Sequence, residues 1–106
     1  MQRIITGTTN LSGERMINFR DVDVHNKFIF IKHSGCFGRL ERYSDNRYYM
    51  YCLSEVEIYP TLWCNDFGGA YQNPLTLIEK VINSGADIYQ FDTFQEAVDW
   101  MYRETR

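Results

Sequence analysis

The sequence predicts an α+β domain that has a mainly antiparallel sheet of about four to five strands, with two C-terminal helices packed on one of its faces. Strand-like segments fill most of residues 16–59, whereas both helical patterns begin after residue 72. Strands that precede helices, instead of alternating with them, usually pair antiparallel. The chain has 106 residues, the length of one domain, so we expect a single domain over residues 1–106.

Three segments begin the predicted sheet. Residues 1–15 have no hydrophobic period and predict a frayed start or a short edge strand. The apolar alternation in residues 16–24 changes phase near Arg20 and Asp21, which predicts a strand with a bulge or turn at that point. Residues 27–33 contain an unbroken run of aromatic and β-branched side chains, so they predict a central strand that is buried on both faces.

A hairpin is predicted over residues 39–53. A turn at residues 34–38 precedes it, and the Asp-Asn pair at residues 45–46 suits a two-residue loop because both residue types tolerate positive φ. In this register Arg42 faces Tyr49 across the two strands.

The segment after the hairpin predicts a strand and a loop. Residues 55–59 alternate acidic with apolar side chains, which predicts a half-exposed strand, and Pro60 is expected to end it. Residues 61–72 have no period, so they predict an apolar loop that carries Trp63, Phe67 and Tyr71.

Two helices and a short strand complete the chain. Asn73 is a good N-cap, Pro74 suits the first helical position, and Gly85 stops the apolar period. Residues 86–91 predict a brief strand. The second helix starts with a capping-box pattern at residues 93–96. Its predicted apolar face consists of Phe94, Ala97, Val98, Met101 and Tyr102.

The net charge of −3 is unevenly distributed along the chain. Residues 1–53 contain eight Lys and Arg against five Asp and Glu, a balance of +3. Residues 54–106 contain three against nine, a balance of −6. Whether this difference separates charge in space depends on how the two halves interleave in the fold.

Aromatic residues make up 16% of the chain, an unusually large share. Eight Tyr, seven Phe and two Trp are more large rings than one small core is expected to hold, so some should lie on a contact surface.

The cysteine and hydropathy patterns indicate a cytoplasmic protein. Three cysteines lack CxxC spacing, and residues 1–10 contain no apolar leader, so we expect a reduced, cytoplasmic environment. No apolar run approaches the roughly 20 residues that span a bilayer, so we expect no membrane insertion.

The sequence predicts no metal, cofactor or catalytic residue. His33, Cys36, Cys52 and Cys64 supply four N and S ligands, but they do not come in the close pairs of a zinc site. A small Cys-dependent enzyme, with Cys36 as nucleophile and His33 as base, is the second alternative function, although no orienting group or oxyanion site can be named. Catalysis therefore has less support than binding.

The leading hypothesis is a non-catalytic binding or regulatory protein that engages a protein partner. Its aromatic contacts are predicted in the loop after residue 60 and on the last helix, because interfaces concentrate binding energy in such rings. The acidic C-terminal half would compete for the basic groove of a nucleic-acid-handling or host enzyme, which makes inhibition one form of this role. The predicted contact residues are Trp63, Phe67, Tyr71, Trp100, Asp87, Asp92, Glu96 and Asp99.

The first alternative is a single-stranded nucleic-acid-binding module that uses the hairpin. Bases stack on exposed rings while arginines meet phosphates, and the hairpin contains both residue types. The acidic sequence pI of about 5.3 argues against it. Its predicted residues are Arg39, Arg42, Arg47, Tyr43 and Tyr48. The partner and the oligomeric state stay open.

Overall fold

The computed structural model describes residues 1–6, 15–33, 36–42, 46–53, 60–62 and 71–104. These residues form seven strands, one 3₁₀ turn and two α-helices. The strands are β1 (Gln2–Ile5), β2 (Met16–Asn18), β3 (Phe28–His33), β4 (Cys36–Arg42), β5 (Tyr48–Leu53), β6 (Pro60–Leu62) and β7 (Asp87–Phe91). The helices are α1 (Pro74–Asn83) and α2 (Phe94–Glu104), and the 3₁₀ turn is Phe19–Asp21.

The described strands form one sheet in the order β2-β1-β7-β3-β4-β5-β6. The α+β class is confirmed, but the sheet has seven strands where four to five were predicted. Pairing between the described neighbours is antiparallel except between β1 and β2, which run parallel. The prediction did not include this parallel pair. Strand β3 lies in the centre of the order, as its unbroken apolar run predicted.

The two helices pack on opposite faces of the sheet, so the predicted one-sided arrangement is wrong. Helix α1 joins a cluster that contains Ile29 and Ile31, whereas α2 joins a second cluster that contains Phe30. Successive side chains of a strand point to opposite faces. Because β3 and β7 carry buried apolar side chains on both faces, each face needs its own helix to exclude water.

The phase change in residues 16–24 is the 3₁₀ turn that follows β2. The side chain of Asn18 accepts a hydrogen bond from the backbone N–H of Arg20 at 3.0 Å and caps the turn. Phe19, the first residue of the turn, and Val22, which follows it, are both buried. The predicted turn near residues 20–21 is therefore confirmed.

The β4–β5 hairpin differs by one residue from its predicted register. Arg42 pairs with Tyr48, and Glu41 pairs with Tyr49. Asn46 has a φ of 61°, consistent with the predicted turn position, but five residues separate the paired ends. Since a one-residue shift exchanges the two faces of a strand, Tyr48 turns into the α1 core instead of the wetter face.

Two predicted strand boundaries near the hairpin are also wrong. Cys36–Arg42 is one continuous strand, so the predicted turn does not extend to Gly38. Pro60 begins β6 instead of ending a strand, and it is tolerated there because β6 lies at the edge of the sheet. The predicted strand at residues 55–59 lies outside the described residues.

Both helices begin where their capping patterns predicted. Asn73 accepts a hydrogen bond from Leu75 N–H at 3.0 Å, and Thr93 accepts one from Glu96 N–H at 3.2 Å. Gly85 follows α1 with a φ of 88°. Neither of the described helices is long and apolar enough to span a membrane.

Candidate functional site

Trp100 was predicted as a protein-binding residue, and its burial corrects that prediction. Its side chain is 1% exposed and packs against three rings of the sheet. The ring centroids of Tyr89, Phe37 and Phe91 lie 5.1, 5.4 and 5.4 Å away, respectively. Trp100 is therefore a central residue of the α2 core and is inaccessible to a partner.

The burial of Trp100 fixes which side of α2 faces solvent. Ala97 and Trp100 face the sheet, and Met101 is partly packed beside them. Phe94 is 43% exposed and Tyr102 is 68% exposed, although both were predicted on the buried face. We call the line of Phe94, Val98 and Tyr102, spaced four residues apart, the α2 strip.

The Phe94 ring is held in place by neighbours on β3 and β4. The guanidinium group of Arg39 lies 5.4 Å from the Phe94 ring centroid. It also lies 5.7 Å from the centroids of Phe28 and Phe30. The two ring pairs Phe28–Phe94 and Phe30–Phe94 have centroid distances of 6.0 and 6.1 Å.

Glu41 completes this arrangement. Its Oε1 atom lies 3.0 Å from Nε of Arg39, so a carboxylate orients the guanidinium group over the rings. Alternate residues of β4 share a face, which brings Arg39 and Glu41 to the α2 side of the sheet. We call Phe28, Phe30, Arg39, Glu41 and Phe94 the Arg39 cluster.

Three of the four predicted acidic contacts are ion-paired with the first half of the chain. Asp87 pairs with Arg3 at 2.8 Å, and Asp92 pairs with Lys27 at 2.7 Å. The amino group of Met1 lies 3.9 Å from Glu96. Asp99, the fourth acid, accepts a hydrogen bond from the Gln95 amide at 2.9 Å. The charge asymmetry along the sequence is therefore partly neutralised in space.

The Lys27–Asp92 pair also shifts the protonation of both groups. The hydrogen bond between them, followed by their Coulombic attraction, lowers the pKa of the Asp92 carboxyl group below its usual range. The same two causes raise the pKa of the Lys27 ammonium group. Both side chains thus hold their charges more strongly than in an unfolded chain.

The residues of the predicted nucleic-acid platform do not share one face. Arg39 lies on the α2 side, whereas Arg42 pairs with Tyr48 on the other side. Tyr48 is 7% exposed, so its ring face is closed to a base and the prediction of a stacking role is wrong. Arg42 and Arg47 are exposed, and Tyr43 lies outside the described residues.

The predicted aromatic loop is only partly within the described residues. Trp63 and Phe67 lie outside them. Tyr71 is partly buried, packs against the α1 core and forms an isolated bridge with Tyr48. Its backbone N–H donates to the Tyr48 carbonyl at 3.0 Å and its carbonyl accepts from Tyr48 N–H at 2.8 Å.

The described residues offer no metal centre. Within them, no group of three or more His, Cys, Asp and Glu side chains could hold a metal ion. Cys36 and His33 are paired in the β3–β4 register, and Cys52 lies on β5 opposite Gly38. Cys64 lies outside the described residues. The two strand cysteines are thus separated by register, and a Cys36-dependent reaction stays a prediction from sequence.

No protein-family model matches this chain, and no curated protein or solved structure matches it significantly.

Proposed function

We propose that this chain is a non-catalytic binding protein that engages a protein partner through the α2 strip and the Arg39 cluster. The observation that carries this proposal is the Phe94 ring, which is 43% exposed although three side chains of the Arg39 cluster pack around it. An aromatic side chain that is both exposed and held in place has already lost most of its conformational freedom, so a partner covers it at little entropic cost.

The residue types on this surface suit a protein interface. Aromatic residues and arginine are enriched among the contacts that dominate binding energy. Complete burial of a Phe side chain contributes about 1.5–3 kcal/mol, so covering the remaining exposed part of Phe94 contributes roughly 1 kcal/mol. Tyr102, 68% exposed, adds a second apolar contact at the other end of the strip.

The acidic residues support a smaller role than the sequence predicted. Asp87, Asp92 and Glu96 are paired within the chain, and surface ion pairs of this kind leave little net field for steering a basic partner. Regulation or inhibition of a partner by covering its surface stays part of the proposal. The roles predicted for Trp63 and Phe67 also stay predictions.

A pull-down from the native host tests the proposal. The wild-type chain and the Phe94→Ala variant serve as baits, and mass spectrometry identifies what each retains. Glu79→Ala is the matched control, because Glu79 is exposed on α1 on the other side of the sheet. We expect a protein that wild type and Glu79→Ala capture and that Phe94→Ala captures at least fivefold less.

Folding must be checked before this comparison is interpreted. Phe94→Ala should keep the far-UV circular dichroism spectrum of the wild type, because the Ala97 and Trp100 contacts that hold α2 to the sheet are unchanged. Identical captured proteins for all three baits would refute the proposal. Retention of oligonucleotides that is lost in Arg42→Ala/Arg47→Ala and falls steeply with salt would favour the nucleic-acid alternative instead.

A further inference from the structure

We infer that the α2 strip binds an amphipathic helix of the partner protein, and that this helix carries a lysine or arginine beside its apolar stripe. The inference rests on the proposed function, because it names the chemistry of the partner at the same surface. It depends on the spacing of the strip, on its exposure and on the acid that borders it.

The spacing of the strip matches the way in which helices pack. Phe94, Val98 and Tyr102 are four residues apart and form one ridge along α2. From the rise of an α-helix, this ridge is about 12 Å long. A second helix presents grooves between its own ridges that accept such a line of side chains, and amphipathic helices are commonly recognised in this way.

The strip projects from a helix that the core holds in place. Ala97 and Trp100 fix the opposite side of α2 against the sheet, and Phe94 is packed in the Arg39 cluster. Phe94 at one end of the strip is 43% exposed and Tyr102 at the other end is 68% exposed, whereas Val98 between them is partly buried. A partner helix therefore meets a surface that does not need to rearrange.

The charge beside the strip selects the partner. Gln95 and Asp99 form its outer border, and Gln95 Nε2 donates to Asp99 Oδ1 at 2.9 Å. The three other acids predicted for this region have basic partners in the chain, whereas this contact of Asp99 is with a neutral amide. Arg103 lies one turn further on, and the ion pairs of the described residues do not include one between Arg103 and Asp99. A basic side chain on the partner helix gains an ion pair here, and an acidic one is repelled.

Two synthetic peptides test this inference directly. Both are helical, with a leucine stripe on an alanine-rich background; one carries two lysines beside the stripe, and the other carries two glutamates at the same positions. Binding to the whole chain is followed by the amide shifts in ¹⁵N NMR spectra. We expect the lysine peptide to shift the α2 amides and to bind about two- to fivefold more tightly than the glutamate peptide, the range for an exposed ion pair.

Charge variants at Asp99 complete the design. Asp99→Asn should remove the preference between the peptides, and Asp99→Lys should reverse it. Glu79→Lys is the matched control with the same change of charge on the exposed side of α1, and it should leave the preference unchanged.

Several results would overturn the inference. One is that neither peptide shifts the α2 amides at millimolar concentration. Another is that the preference for the lysine peptide over the glutamate peptide is unchanged in Asp99→Lys. Shifts of these amides with the concentration of the chain alone would mean that a second copy covers the strip. A captured host protein that depends on Phe94 but not on Asp99 would end this inference and leave the proposed function standing, whereas no Phe94-dependent capture would end the proposed function.

Discussion

Replacing Trp100 with alanine separates a core role from a contact role for this residue. Trp100 is 1% exposed and has three aromatic rings within about 5.5 Å, so truncation removes a large apolar volume and three ring contacts together. Substitutions of buried Phe or Trp by Ala cost about 3–5 kcal/mol. A domain of this size has a free energy of unfolding of about 5–15 kcal/mol, so Trp100→Ala should lose a large part of it.

The comparison residue is Tyr102, because it lies two positions further along the same helix with 68% of its side chain exposed. Tyr102→Ala should change the free energy of unfolding by no more than about 0.5 kcal/mol. Urea titrations followed by far-UV circular dichroism measure both values without relying on tryptophan fluorescence. We expect the Tm of Trp100→Ala to fall by more than about 10 °C, and the Tm of Tyr102→Ala to stay close to that of the wild type.

The opposite order of stability losses in these two variants would refute a core role for Trp100. If Tyr102→Ala loses more stability than Trp100→Ala, α2 presents the other side to the sheet, and the α2 strip is then part of the core. A loss below about 1.5 kcal/mol for Trp100→Ala would contradict its burial among three rings, because it falls well under the range for buried aromatic truncations.

Two further predictions concern stability. The pKa of Asp92 is lowered from its ordinary value of 3.8, so its contribution to folding stability is complete above that pH and is lost as the pH falls further. Asp92→Asn and Lys27→Met should therefore both flatten the decrease of Tm between pH 5 and pH 2. An unchanged decrease of Tm in both variants would contradict a stabilising role for this ion pair. Gly85 has a φ of 88°, and no atom lies within 4 Å of an added Cβ. Gly85→Ala should therefore lower the free energy of unfolding, measured by urea titration, by about 1 kcal/mol through backbone strain alone. A stabilised variant would argue against the left-handed conformation.

Local signals in the sequence predicted the helix starts, the 3₁₀ turn region and the central strand. Each depends on a few adjacent residues, such as the Asn73 side chain that caps α1 or the apolar run of β3. The hairpin register was not predictable in the same way. The Asp-Asn pair marks the turn, but whether two or five residues connect the strands is decided by which face of β5 the α1 core accepts.

The orientation of α2 was likewise not predictable from local signals in the sequence. The helix contains two overlapping apolar lines, one through Phe94, Val98 and Tyr102 and one through Ala97 and Trp100. Helical spacing alone does not choose between them. The choice follows from the sheet, where Phe37, Tyr89 and Phe91 form an aromatic recess for the larger Trp ring. Phe94 and Arg39 were therefore missed as one site, because the sequence does not reveal that β4 and the start of α2 meet.

The two-sided sheet also changes what the aromatic composition means. In a domain with a single core, so many rings would exceed what the core can hold, and the remainder would lie on a binding surface. Helices on opposite faces create two cores, and the α2 core is built mainly from rings: Phe30, Phe37, Tyr89, Phe91 and Trp100. Much of the aromatic content is thus explained by packing. The exposure of individual rings, and not the aromatic content of the chain, then indicates a binding surface. Among the described rings, Phe94 and Tyr102 are the large exposed ones.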